Sequence, residues 1–415
     1  MNILIIKASA ESDFKDYKKY MSSPPQGIFS LAAATPNTHS FEIVDETNGD
    51  KLTKKHIEWA HLAILTASTP DITHAYQLAQ KLKENSLLVV LSGLHVTFLP
   101  AEAAHYADSV IIGEAELVWR ALLADAEKGQ LKPSYKSNEQ VDMGNLNPWP
   151  NSPDLKKRYG TWGVLVGRGC KNSCSYCTVR PFFKREVFRP VAHVIDEIRA
   201  SGKQYLELHA DNLCSDPDYA LELFTELKKL KVQWAGEATL DFAENEVLVE
   251  AAAKSGLTYL LVGLETCSHP ALKMAGKGFI KPSRAKELIG RLHDNNIVVD
   301  SCMLFGFDEH EKDIFDETIA FVDDVKLDVI HPNFITPFPG TKFYNQLLRE
   351  ERLLSNDWVD YDCSHVVFEP KNMTPKELED GVIKVRDTLY STGRRLKRFA
   401  RVTSMQGLYM SSMTT

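Results

Sequence analysis

The chain has 415 residues, enough for two domains of ordinary size, and 44% of them are apolar, so large cores can form. Its net charge of −8 argues against a general nucleic-acid binder, which needs a basic face. No apolar run approaches a transmembrane segment, and Met1-Asn2-Ile3-Leu4-Ile5-Ile6 lacks the charged region and cleavage site of a signal peptide. Seven cysteines, three of them clustered, read as metal ligands plus reduced thiols, so the expectation is a cytoplasmic enzyme.

Residues 1–135 read as an open α/β unit. Apolar runs at 3–6, 41–44, 62–65, 87–91 and 110–112 alternate with helix candidates at 27–34, 73–84 and 115–128. Continuous apolar strands separated by helices predict a Rossmann-like, doubly wound parallel sheet covered on both faces. Such sheets bind ligands beyond the carboxyl ends of their strands. Those ends carry Thr66, Ser68 and Thr69, then Gly93, His95 and Thr97, then Gly113 and Glu114. The segments are mostly small or hydroxylated, so a bulky planar ligand could lie against backbone there. His95 reads either as a ligand or as a loop histidine bonded to backbone. A turn-rich linker follows over 136–158, around Asn145-Leu146-Asn147-Pro148-Trp149-Pro150.

The strongest feature comes next: Cys170-Lys171-Asn172-Ser173-Cys174-Ser175-Tyr176-Cys177, a C-x3-C-x2-C cluster after Gly167-Arg168-Gly169. Three thiolates on one tight loop can hold three irons of a [4Fe–4S] cube and leave the fourth open to a small molecule. An electron-carrier cluster takes four cysteines, and structural zinc wants a fourth Cys or His. From residue 159 to 352 the chain alternates strand and helix in six units, with strands at 163–166, 205–209, 233–238, 259–264, 298–305 and 329–335. Six units fit a partial (β/α)6 barrel, whose active residues sit on loops leaving the strand carboxyl ends. The cysteine loop follows the first of those strands.

The cysteine spacing, with Tyr176 before the third cysteine, resembles the radical S-adenosylmethionine (SAM) superfamily. The resemblance runs from about Thr161 to Pro370 and implies a [4Fe–4S] cluster on Cys170, Cys174 and Cys177 that binds and cleaves SAM. It implies SAM contacts at Tyr176, at Glu237 in Gly236-Glu237-Ala238-Thr239, at Glu265 in Gly263-Leu264-Glu265, at Gly306 and at Thr336. Where the family often has D-D-N, this chain reads His209-Ala210-Asp211-Asn212, which makes His209 and Asn212 substrate candidates. Residues 1–135 resemble the cobalamin-binding domain ahead of many radical SAM proteins, through Pro24-Pro25-Gln26-Gly27, Gly93-Leu94-His95-Val96-Thr97 and Gly113-Glu114-Ala115-Glu116. Cobalamin contacts are then implied at Thr66, Ser68, Thr69, Gly93, His95, Thr97, Gly113 and Glu114. No D-x-H-x-x-G occurs, so the lower cobalt ligand of methionine-synthase-type domains has no counterpart.

The family reading implies C-methylation of an unactivated carbon. Its substrate, a small molecule, lipid or peptide, is expected at the domain interface, with a flavodoxin- or ferredoxin-type reductant. Cyclisation, rearrangement or oxidation with the same cofactors is one alternative, and a non-catalytic iron–sulfur and corrinoid sensor or electron carrier is another. A helical region is expected over 353–415, with Thr374 capping a helix and Pro375 in its first turn. The cations Arg394, Arg395, Lys397 and Arg398 suit either a helix dipole or a membrane surface.

Overall fold

The computed structural model describes residues 1–10 and 23–402. The chain divides into two compact units: Met1–Gly169 with Thr178–Gly202 and Asp357–Val359, and Cys170–Cys177 with Lys203–Asn356 and Asp360–Thr415. The segment expected as a linker lies in the first unit, and so does the first expected barrel strand.

In the first unit six strands form one parallel sheet: β1 (Asn2–Lys7), β2 (Ser40–Asp45), β3 (Leu62–Thr66), β4 (Leu88–Ser92), β5 (Ser109–Ile112) and β6 (Ser134–Lys136). Their order is β2-β1-β3-β4-β5-β6. Ile3, Leu4, Ile5, Ile6 and Leu62 to Leu65 are all wholly buried, as strands covered on both faces must be. The cover includes helices α1 (Gln26–Ala34), α2 (Ile72–Glu84) and α3 (Glu116–Glu127). The order reverses between β1 and β3, and the carboxyl ends of those two strands flank the switch point at which such sheets bind ligands. Past the sheet come the short strands β7 (Trp162–Leu165), β8 (Gly167–Arg168) and β9 (Val187–Phe188), and helix α4 (Val191–Ser201). Strand β6 and the short helix Pro153–Arg158, capped by Ser152 at 3.3 Å from the Leu155 amide, are absent from the sequence expectation.

In the second unit, strands β10 (Tyr205–His209), β11 (Gln233–Thr239), β12 (Leu257–Gly263), β13 (Val298–Phe305) and β14 (Val329–Phe334) pair in parallel, each with the next. Helices α5 (Pro217–Leu230), α6 (Glu246–Lys254), α7 (Ala285–Asp294) and α8 (Ile314–Val325) connect them in turn. The period of two sorts the side chains. Trp234, Gly236 and Ala238 of β11 are buried, and Trp234 stacks on Phe224 of α5 at 5.4 Å. The alternate positions, Ala235, Glu237 and Thr239, belong to the opposite, polar face. Helix α9 (Lys342–Arg349) follows β14, and then come α10 (Pro375–Leu389) and α11 (Thr392–Val402). Thr374 caps α10 in a reciprocal box with Glu377, and Pro375 occupies the first turn, as the sequence predicts. Residues 403–415 of the expected helical region lie outside the described residues, among which no helix is long and apolar enough to cross a membrane.

Helix α10 packs on α8 at a glycine. A Cβ on Gly381 would enter the Phe315 ring. Gly381→Ala should therefore lower stability by about 1–3 kcal/mol through overpacking, against a propensity gain of about 1 kcal/mol. Urea unfolding of the two proteins measures the balance; a more stable variant would show that the Phe315 ring moves aside freely.

Candidate active site

The cysteine loop is held by backbone on two sides. The Ser175 amide donates to the Ala275 carbonyl at 2.9 Å, and the Phe343 amide at the start of α9 donates to the Ser175 carbonyl at 2.9 Å. Lys171 anchors the loop's start, its Nζ donating to the Ser215 carbonyl at 2.9 Å. Gly276, at φ +77°, stands so close that a Cβ there would lie 3.2 Å from the Ser173 carbonyl. The three cysteines are half-buried and form no disulfide.

Beside them lies a buried ion pair. The Lys277 Nζ donates to Glu265 Oε1 at 2.5 Å, and the two residues are only 5% and 8% exposed. Burial works against the Lys277 ammonium, but Glu265 and then the Cys174 and Cys177 thiols outweigh it and raise its pKa. Burial pushes the Cys174 thiol up, and Lys277 opposes that shift. The Tyr176 hydroxyl lies within hydrogen-bonding reach of both Glu265 and Cys174. Burial, then the Glu265 carboxylate, hold this phenol well above its ordinary pKa, so it stays a neutral donor. Glu265 follows β12 at φ +70°, an uncommon region for a residue with a Cβ. Its amide donates to the Cys302 carbonyl at 3.2 Å, and it accepts from the Leu304 amide, so β13 holds the turn. A Cβ on Gly263 would run into the Lys277 ammonium and the Glu265 carboxylate, so a larger residue there would push the pair aside.

Among the described residues, no group of three or more His, Cys, Asp and Glu side chains is arranged to hold a single metal ion. A cube takes each cysteine on a different iron, whereas structural zinc wants four ligands converging at about 2.0–2.3 Å. A three-cysteine donor set with a lysine beside it therefore suits a cluster.

The polar face of the second sheet carries more carboxylates. Asp300, 3% exposed, accepts from the Tyr259 hydroxyl and lies 2.9 Å from His331 Nε2. Glu237 is enclosed by protein yet open to water, and burial followed by Glu207, Asp211 and Asp300 raises its pKa to about 8. His209 stands 3.9 Å from Glu207. Asn212 is buried and couples two strand ends, exchanging 3.3 Å hydrogen bonds with the amide and hydroxyl of Thr239. That pairing gives it a structural task between the two strand ends. Thr336, 4% exposed, donates to the Phe334 carbonyl. Gly306, at φ +101°, leaves room for Phe368 and Leu378, so packing accounts for it without a ligand.

In the first unit the expected cobalamin segments lie at the carboxyl ends of β3, β4 and β5. Thr66, Ser68, Gly93, Thr97 and Gly113 are partly exposed there, and Thr69 is buried. Thr97 ties two of the segments together: its Oγ1 donates to the Gly93 carbonyl at 2.8 Å and accepts from the Gly113 amide at 3.0 Å. Two expected contacts are enclosed by protein here. His95 is wholly buried on a short helix, 3.3 Å from Glu102 and edge-on to Trp358. Glu114 is 5% exposed and committed to Arg168 at 2.8 Å and the Val141 amide at 2.9 Å. Arg168, 3% exposed, also bonds Glu116 at 2.6 Å and Ser30 at 3.0 Å, a buried network that sequence reasoning missed.

Two outcomes follow from this geometry. Lys277→Met leaves Glu265 buried and unpaired, and should cost about 3–5 kcal/mol in urea unfolding of cluster-free protein. Adding Glu265→Gln should restore most of that loss; an additive double variant would mean the two residues are not coupled. Glu237 keeps its proton in the folded protein up to about pH 8, while the unfolded chain releases it near the ordinary value of 4.5. The folded state binds more protons in that window, so this residue's contribution to stability falls as pH rises from 4.5 to 8. Glu237→Gln should therefore raise Tm more at the alkaline end of the window than at the acidic end, and an equal shift at both ends would contradict the assignment.

Comparison with known proteins agrees with this geometry. Residues 164–322 match the radical SAM superfamily. The chain is 28% identical over 388 residues to bacteriochlorophyllide d C-12(1)-methyltransferase of Chlorobaculum tepidum, covering 91% of this chain and 84% of that one. In fold it resembles the radical SAM methyltransferase TsrM of Kitasatospora setae, solved with cobalamin and a [4Fe–4S] cluster. The TM-score is 0.71 at 15% identity, over 92% of this chain and 84% of that one. It also resembles the cobalamin-dependent SAM radical enzyme OxsB, at TM-score 0.74 and 13% identity, over 100% of this chain and 71% of that one. The cysteine loop and the parallel sheet of the second unit thus accompany a radical SAM domain over residues 164–322.

Proposed function

We propose that this radical SAM enzyme methylates an unactivated carbon of a small-molecule substrate. A [4Fe–4S] cluster and SAM would sit in the second unit, and cobalamin at the carboxyl edge of the first unit's sheet. The carrying observation is the grouping of Cys170, Cys174, Cys177 and Tyr176 with the Glu265–Lys277 pair. A relative named as a methyltransferase that spans most of both chains supports the reaction class.

When bound, reduced cluster and SAM supply a carbon-centred radical able to take hydrogen from an unactivated carbon, and a corrinoid supplies a methyl group. The protein's part is position and charge. Cys170, Cys174 and Cys177 would hold three irons, on a loop that cannot shift without breaking the Ala275 and Phe343 bonds. Lys277 keeps a positive charge beside the thiolates. Tyr176 offers a neutral donor, and Glu265, pinned by β13, offers a carboxylate to the diol of SAM. Glu237, protonated at neutral pH, would be a hydrogen-bond donor within the same polar face. Thr336 and Gly306 would shape the wall through their backbone, and His209 stays the substrate-side candidate. In the first unit the partly exposed edge positions Thr66, Ser68, Gly93, Thr97 and Gly113 carry only small side chains, which suits a flat macrocycle. The buried His95 agrees with a corrinoid that takes no histidine from this chain.

Finer points belong to the same proposal. They are a corrinoid domain over 1–135, a six-unit partial barrel over 159–352, and a flavodoxin- or ferredoxin-type reductant. The barrel count is supported by six strand–helix units in the sequence, five of whose strands pair within the second unit.

The test is an isotope experiment. With reductant, the purified enzyme should convert SAM to 5′-deoxyadenosine, and the Cys170, Cys174 and Cys177 triple alanine variant should not. With substrate, SAM carrying a labelled methyl should give labelled product, with 5′-deoxyadenosine and S-adenosylhomocysteine in comparable amounts. Product formed without labelled methyl would replace methyl transfer by cyclisation or rearrangement.

A further inference from the structure

Two carboxyl groups on the polar face of the second sheet stand without a full set of partners. Glu237 of β11 pairs with Leu261 of β12, and Leu261 pairs with Asp300 of β13. The three share one row, so both carboxyls flank Leu261 on the same face. The Glu237 carboxyl makes no hydrogen bond or ion pair with a described residue. Asp300, 3% exposed, spends only Oδ2, on the Tyr259 hydroxyl and on His331 Nε2 at 2.9 Å. Its Oδ1 is buried with no partner among the described residues, a costly arrangement that a ligand offering a donor would relieve.

The charge around this row has one sign. Glu207, Asp211 and Asp300 all act on Glu237 in the same direction as burial does. The cations nearby face other oxygens: His331 the Oδ2 of Asp300, His209 the Glu207 carboxylate at 3.9 Å, and Lys277 the Glu265 carboxylate. Toward the amino ends of the strands the row has an apolar floor, where Tyr259, Val298 and Val329 cluster with Ala235 and Val402 against them. Toward the carboxyl ends comes Cys302, whose thiol is pushed up by burial, then by Glu265 and Asp300. The row therefore lies one step beneath the level of Glu265. A metal ion does not suit it, because among the described residues no three ligating side chains are arranged for one. An anion would meet like charge. A primary ammonium carries one positive charge and three diverging donors. Strands one apart in the sheet stand about 10 Å from each other, a gap that a single nitrogen held between a Glu and an Asp side chain can bridge.

We propose that the substrate carries a protonated amine, which Asp300 Oδ1 and the Glu237 carboxylate receive on the polar face of the second sheet. The inference rests on the methyltransferase reading above and adds the charge of the substrate to it. With an apolar floor beneath the row, the rest of the substrate extends toward the carboxyl ends of the strands, where Glu265 and the cysteine loop lie. A cation in the row also favours the ionised form of Glu237, which is otherwise held protonated up to about pH 8.

Propylammonium is the probe that tests it. With oxidised, reconstituted enzyme at about pH 8.5, where a primary amine keeps its proton, it should raise Tm saturably. Equal concentrations of 1-propanol, sodium propionate or sodium chloride should not. Asp300→Asn and Glu237→Gln should each raise the half-saturating concentration at least about tenfold, as loss of a charged hydrogen bond implies. Glu237→Gln breaks no hydrogen bond of the fold, and circular dichroism checks both variants. Saturating SAM should leave propylammonium binding in place. No saturable rise, an equal rise with 1-propanol, or unchanged binding by either variant would overturn the inference. Competition with SAM would overturn it too, by giving the row to the cofactor. SAM cleavage by the parent is read separately. 5′-Deoxyadenosine formed by an enzyme that binds no propylammonium removes the amine and keeps the reaction class, whereas binding without any SAM cleavage contradicts the reaction class instead.

Discussion

The Lys277–Glu265 pair is the constraint on which the site depends. A carboxylate and an ammonium removed from water are each costly, and each is tolerated here because the other stands 2.5 Å away. That contact fixes the segment from Ala275 to Lys277, whose carbonyl and glycine hold the cysteine loop. It also fixes Glu265 in a left-handed conformation that β13 locks in place. One ion pair thereby joins the fourth expected barrel strand, the turn 12 residues later and the three thiols into a single unit. Its charge matters as well as its shape. A cluster bound by three thiolates carries negative charge, and a lysine that burial has not neutralised is the nearby cation able to offset it.

The second sheet shows how a period of two divides labour. One face of β11 buries Trp234, Gly236 and Ala238, and Trp234 stacks on Phe224 of a covering helix. The other face gathers Glu237 with Asp300 and Glu207, each from a different strand. Burial first, and then these neighbouring like charges, raise the Glu237 pKa. Asp300 stays satisfied on one oxygen through Tyr259 and His331. The polar face is therefore both acidic and hydrogen-bonded, which suits a region where small polar ligands are turned and held.

Much of this was legible in the sequence where the signal is local. The cysteine spacing is covalent, and strands such as Leu62–Thr66 and Val298–Phe305 announce themselves as short apolar runs between helical stretches. The cap of α10 was readable because Thr374, Pro375 and Glu377 are neighbours in the chain. What escaped was long-range. Lys277 and Glu265 share no periodic pattern, and Arg168 meets Glu114 and Ser30 across 54 and 138 residues. Glu114 and His95 occur in segments that suit a ligand, yet Glu114 is bonded to Arg168, distant in sequence, and His95 is fully enclosed. The helix Pro153–Arg158 was missed because six residues give too little periodicity to stand out from a turn-rich stretch.

The central claim is that three cysteines hold a four-iron cluster with one iron open to SAM. Mössbauer spectroscopy of anaerobically reconstituted, iron-57-labelled protein tests it most directly. The account predicts about four irons per chain in one cubane, with a single iron whose parameters change when SAM is added. Spectra indifferent to SAM, or zinc taken up in place of iron, would contradict it.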